Sequence, residues 1–170
     1  MMNTRKAILN DADCLSEFAC RTYVDAFGHS FQTEDLQTHL DTHLSPESFK
    51  RILERDTVLI VEMNHHLVGF CQFGQATGHF EDGQDSEGYI ERLYVGKEYQ
   101  NQGVGSLLMK AVLDQMQQDK VTRVYLDVWE RNPGAIRFYQ RFGFEVIGRQ
   151  KFEVSSGAET SDDLVMVFSM

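Results

Sequence analysis

The chain has 170 residues, 42% hydrophobic and 11% aromatic, with 16 Lys and Arg against 26 Asp and Glu for a formal net charge of -10. That length predicts one domain with an aromatic-rich core, and the composition excludes disordered and fibrous classes. The acidic balance repels phosphate backbones, so no nucleic-acid partner is expected. No run approaches the roughly 20 apolar residues of a membrane span, and Met1 to Lys6 lack a secretory apolar stretch, so the expected setting is cytoplasmic with no membrane partner.

Residues 6–9 read as a short strand, followed by Asp11 or Asp13 as a cap and by Leu15, Phe18, Ala19, Thr22, Tyr23 and Ala26 at helical spacing. A second helix is predicted over 33–44, and a third opens at Ser45-Pro46, where Ser caps and Pro fits the first turn. Residues 57–62 and 67–77 form a hairpin about Asn64-His65-His66. The polar stretch 78–88, with Glu81, Asp82, Asp85 and Glu87, leads to a fourth strand over 89–95. Val104, Leu107, Leu108, Ala111, Val112 and Gln115 mark a helix running to Met116. A fifth strand over 123–129 sets Val124, Leu126 and Val128 on one face and Tyr125, Asp127 and Trp129 on the other. Asn132-Pro133 starts a helix ending near Gly143, and strands over 144–154 and 164–168 close the chain.

Leu93, Tyr94 and Val95 end a strand just before Gln100, Asn101, Gln102, Gly103, Val104, Gly105 and Ser106, which turn into a helix. A Gly-containing turn at a helix start gathers backbone N–H groups that can hold a pyrophosphate without cationic side chains. A GxGxxG loop does not fit, because Leu108 occupies its last glycine position, and no GxxxxGK loop is present. Two glycines alone would also serve a tight turn.

The combination with the segment from Asn132 to Phe144 resembles the GCN5-related N-acetyltransferase superfamily over nearly the whole chain. The resemblance implies an α/β fold with a mixed, mostly antiparallel central sheet flanked by helices. It maps the family's Q/R-x-x-G-x-G/A loop onto Gln100, Gly103 and Gly105, opened by Gln rather than Arg. It also implies acetyl-CoA as cofactor, with Leu93, Tyr94 and Val95 pairing the pantetheine amides and Asn132, Ala135, Tyr139 and Arg141 lying along the coenzyme. Within the superfamily, Val128-Trp129-Glu130-Arg131-Asn132 and residues 157–166 resemble the PaiA-like polyamine acetyltransferases, with a departure at Asp127, where those relatives tend to carry a small residue. A small cationic amine acceptor follows from that resemblance, as does a possible homodimer.

An alkylammonium ordinarily titrates at about 10.4 and must lose a proton before it attacks a thioester, whereas a departing thiolate, whose thiol titrates at about 8.5, must gain one. Tyr139 is the candidate acid, its ring suited to pack beside the coenzyme and its hydroxyl to protonate sulfur. Glu91 and Asp127 are both candidates for the base. Glu91 is slightly favoured; Asp127 lies twelve residues before Tyr139, matching the spacing in protein N-terminal acetylating relatives, and either acid would otherwise bind a cationic substrate or face solvent. Cys14, Cys20 and Cys71 form no CxxC pair, and Cys71 between apolar neighbours reads as a buried thiol, so transfer is expected directly within a ternary complex. His39 and His43 share a helical face and read as a surface pair, with no metal expected. Peptide N-acetylation, or coenzyme binding without efficient transfer, are the competing functions.

Overall fold

The computed structural model describes residues 1–78, 84, 86–152 and 161–170. Among them are β1 (Met2–Lys6), α1 (Ala12–Phe27), α2 (Thr33–His43), α3 (Pro46–Arg55), β2 (Thr57–Met63), β3 (His66–Gln75), β4 (Glu87–Val95), α4 (Val104–Gln118), β5 (Arg123–Trp129), α5 (Pro133–Phe142), β6 (Glu145–Phe152) and β7 (Ser161–Ser169). The strand order is β1-β2-β3-β4-β5-β7-β6. The pairs β1–β2, β2–β3, β5–β7 and β6–β7 are antiparallel and β4–β5 is parallel, so the sheet is mixed and mostly antiparallel, with helices flanking it. The chain divides into two compact units, Met1–Phe73 with Arg92–Asp114, and Gly74–Glu91 with Gln115–Met170.

In the first unit the opening strand lies earlier than its apolar signal suggests. Met2 to Lys6 pair with Met63 to Leu59, the Ala7 N–H still donates to the Val58 carbonyl at 2.8 Å, and residues 8–9 leave the sheet. The cause is Asp11: its carboxylate accepts from the Ile8 N–H at 2.7 Å and from both Arg5 guanidinium arms at 2.9 Å, which turns the chain into α1. Polar Asn3, Thr4 and Arg5 are tolerated because β1 is an edge strand. Asn64 and His65 take φ of 52° and 64°, the pair of positive angles a two-residue hairpin turn requires. Ser45 Oγ accepts from the Ser48 N–H at 3.2 Å and Pro46 follows it, as the sequence predicts for the start of α3. α1 buries Leu15, Phe18 and Ala19 in a core shared with Phe49 and Phe70. Phe70 meets the rings of Phe18, Phe49 and Tyr94 edge-on, and burying such a ring contributes about 2–3 kcal/mol.

In the second unit β5 keeps its predicted alternation, with Val124, Leu126 and Val128 buried and Tyr125, Asp127 and Trp129 half-buried. Asn132 Oδ1 accepts from the Ala135 N–H at 3.2 Å to open α5, and Gly143 closes it at φ 102°. A side chain at Gly143 would be strained by that angle and would also stand 3.1 Å from the Phe168 ring. β7 is longer than its apolar stretch because Ser161 to Asp163 pair with Phe152 to Gln150. Asp163 also stands opposite Trp129 of β5.

Candidate active site

The phosphate-loop candidates lie in the first unit, and close backbone approach explains their placement. Gly69 on β3 could not carry a Cβ, which would fall 2.8 Å from Val104 Cγ1 and 3.1 Å from the Tyr94 carbonyl oxygen. This glycine therefore lets the end of β4 and the start of α4 sit tightly against β3. The Gly96 N–H donates to the Val68 carbonyl at 3.0 Å, a short 3-10 turn follows over Lys97–Tyr99, and the Gln102 amide donates to the Glu98 carbonyl at 2.7 Å. Asn101 and Gly103 then adopt positive φ, 60° and 87°. The first bond of α4 runs from the Leu107 N–H to the Gly103 carbonyl at 2.9 Å, which leaves the amides of Val104, Gly105 and Ser106 ahead of the helical ladder. No atom lies within 4 Å of where a Gly103 Cβ would stand. Backbone amides that precede a helical ladder are a group able to hold a pyrophosphate. Leu93, Tyr94 and Val95 are half-buried at the end of β4, with the Tyr94 ring spent on packing against Phe70.

The catalytic candidates lie in the second unit. Tyr139 is buried on α5, its ring edge-on to Phe138 and Phe144 at 5.4 and 5.8 Å between centroids. Asn132 uses its side-chain oxygen as the α5 cap, Ala135 supplies the capped amide, and exposed Arg141 places its guanidinium 5.9 Å from the Phe138 ring centroid. Asp127 is half-buried rather than a solvent-facing acid. It accepts a 2.6 Å hydrogen bond from the Tyr89 hydroxyl, a partner that sequence reasoning missed. Tyr89 is 7% exposed. Burial first, then the Asp127 hydrogen bond and the charges of Asp127, Glu91 and Asp163, push its phenol far above the ordinary range. Asp163 was also missed; burial, followed by the charges of Asp127, Asp162 and Glu130, raises its carboxyl to about 6. Glu91 is half-buried on β4.

Of the other acids, Glu81, Asp82 and Asp85 lie outside the described residues. Glu87 is engaged at the start of β4, accepting from the Tyr125 hydroxyl at 3.3 Å and lying 3.8 Å from Arg123. His39 departs from the expected surface pair. It is half-buried and stacked on Tyr23 at 4.4 Å, and burial, then His43 and Arg92, lower its pKa to about 4, while His43 is exposed. Among the described residues no group of three or more His, Cys, Asp or Glu is placed to hold a metal, and no helix is long and apolar enough to cross a membrane.

The acetyltransferase (GNAT) family profile matches residues 16–144. The chain is 36% identical over 87 residues to the spermine/spermidine N(1)-acetyltransferase of Bacillus subtilis, covering 51% of this chain and 57% of that protein, so it spans little more than half the length of that relative. An uncharacterised N-acetyltransferase of Mycobacterium tuberculosis is 29% identical over 161 residues, 94% of this chain and 97% of that one. Among solved structures, the PaiA N-acetyltransferase from Thermoplasma acidophilum in complex with coenzyme A superposes with a TM-score of 0.81 at 18% identity, covering 100% of this chain and 99% of the other. At that identity the likeness is one of fold.

Proposed function

The chain belongs to the acetyltransferase (GNAT) family, and we propose that it moves the acetyl group of acetyl-CoA onto a primary amine of a small cationic substrate of the polyamine class. The similarity to the spermine/spermidine enzyme carries the choice of substrate. The half-buried acid Asp163 supports it, because a distal ammonium is better held by a carboxylate with restricted solvation.

Bound acetyl-CoA supplies an activated acetyl thioester. The amides of Val104, Gly105 and Ser106, with Gln100, Asn101, Gln102 and Gly103, hold its pyrophosphate, and the backbone of Leu93 to Val95 orients the pantetheine arm. Asp127 or Glu91 takes the ammonium proton, freeing the lone pair that forms the carbon–nitrogen bond. Tyr139 gives its hydroxyl proton to sulfur as the carbon–sulfur bond breaks, and recovers one from the acylated nitrogen. The Cys71 thiol is 0% exposed and burial raises its pKa far above the ordinary range, which favours direct transfer in a ternary complex over an acetyl-thiol intermediate.

A competition containing polyamines, monoamines and basic-ended peptides, read by product mass, tests the reading. Polyamines are expected to give the highest kcat/KM, and Tyr139→Phe to lower kcat about 100-fold. A tenfold preference for peptides over every polyamine, about 1.4 kcal/mol of discrimination, would replace the polyamine assignment with peptide N-acetylation. Tight coenzyme binding with no transfer to any amine would leave a binding module.

A further inference from the structure

The parallel pair β4–β5 carries two tyrosine–carboxylate bonds that run in opposite directions. Tyr89 and Tyr125 stand opposite one another in the register. From there Tyr89 reaches forward along β5 to Asp127 at 2.6 Å, and Tyr125 reaches back along β4 to Glu87 at 3.3 Å. The two bonds join the same strands with the same chemistry, but their settings differ. Glu87 also accepts from the Gln84 N–H at 3.3 Å and lies 3.8 Å from Arg123, among groups that fasten the strand starts. Tyr89 is buried, its bond is short, and its carboxylate is one of the two candidate bases.

We propose that Tyr89 is a positioning residue for acetyl transfer, holding the Asp127 carboxylate in one orientation through the 2.6 Å bond so that Asp127, rather than Glu91, takes the proton of the acceptor amine. The inference rests on the acetyltransferase reading above. A phenol donating to a carboxylate stabilises the anion and removes its rotamer freedom. Tyr89 itself is no base: buried among Asp127, Glu91 and Asp163, its hydroxyl keeps its proton through the working pH range and serves as a donor. Glu91 from β4 and Asp163 from β7 face the same phenol electrostatically and oppose its ionisation, so Tyr89 stays the donor of the pair.

The test compares Y89F with Y125F, which removes the opposite bond from the same strand pair. Steady-state rates are taken with acetyl-CoA and spermidine across pH, and thermal melting confirms folding. Y89F is expected to lower kcat at least tenfold with the KM for acetyl-CoA unchanged, and to move the acid limb of kcat/KM to higher pH, because Asp127 without its donor gives up its proton less readily. Y125F is expected to leave the profile in place. In a D127N background, Y89F is expected to add less than twofold, since its effect passes through Asp127. That comparison leaves no carboxylate deprived of its donor at the pair and serves if Y89F alone does not fold. A wild-type protein that transfers acetyl to no amine overturns the functional reading and this role with it. An active wild type in which Y89F matches Y125F, or in which Y89F costs a further tenfold on D127N, overturns the role of Tyr89 alone.

Discussion

Asp163 holds a charge that folding disfavours. Its carboxyl rises from an ordinary 3.8 to about 6, through burial first and then through Asp127, Asp162 and Glu130. Between those two values the folded state keeps a proton that the unfolded state has released, so stability falls as pH rises from about 4 to about 6 and the deficit persists above. D163N removes that deficit. It is expected to raise the melting temperature at pH 7 and to show no gain near pH 4, with a difference of about 1 kcal/mol once solvent screening of a half-exposed side chain is allowed for. A melting curve at each pH checks the prediction, and equal gains at both would mean that the raised pKa has another origin. The cost of keeping such an acid beside Asp127 is the kind of strain that functional sites retain.

Elements whose signals are local or alternate regularly, β5 among them, were readable from the sequence, whereas the start of the sheet and the bond between β4 and β5, both fixed by register, were not. α5 announces both ends through Asn132-Pro133 and Gly143, because a cap, a fixed φ and a left-handed closure belong to single residues. The turn expected over Asn64-His65-His66 is legible too, its positive angles falling on Asn64 and His65 while His66 already belongs to β3. β1 is not: residues 6–9 carry the apolar pattern, but the register with β2 and the Asp11 turn place the strand at Met2–Lys6. The Tyr89–Asp127 bond was equally hidden, since it depends on the parallel register of strands whose partners stand 38 residues apart in the chain. In the loop from Gln100 to Ser106, proposed to hold the coenzyme, the left-handed conformation at Gly103 sets the turn into α4. Gly103→Ala meets no neighbouring atom but must hold φ near 87°, a strain of about 1–2 kcal/mol for a residue with a Cβ. It is expected to raise the KM for acetyl-CoA about tenfold and to leave the KM for the amine within twofold. Equal changes in both would show that the loop does more than hold the coenzyme.

At the scale of the whole molecule the dominant feature is the formal charge of -10, which raises the local concentration of cations around the protein and accelerates their capture. Ionic strength separates this long-range contribution from short-range recognition, because the screening length shortens from about 30 Å at 0.01 M salt to about 8 Å at 0.15 M. Steering scales with ligand charge, so amines of increasing charge form the appropriate series. Spermine, with four ammonium groups, is expected to lose about tenfold in kcat/KM over that interval, spermidine less, and a monoamine about twofold or less. The loss should appear in kcat/KM and leave kcat nearly constant, since salt acts on capture and not on the bound complex. Stopped-flow or steady-state rates at fixed pH and varied NaCl supply the slopes. Equal slopes for spermine and the monoamine would remove the acidic surface from substrate capture and leave selectivity to close contacts such as those of Asp163.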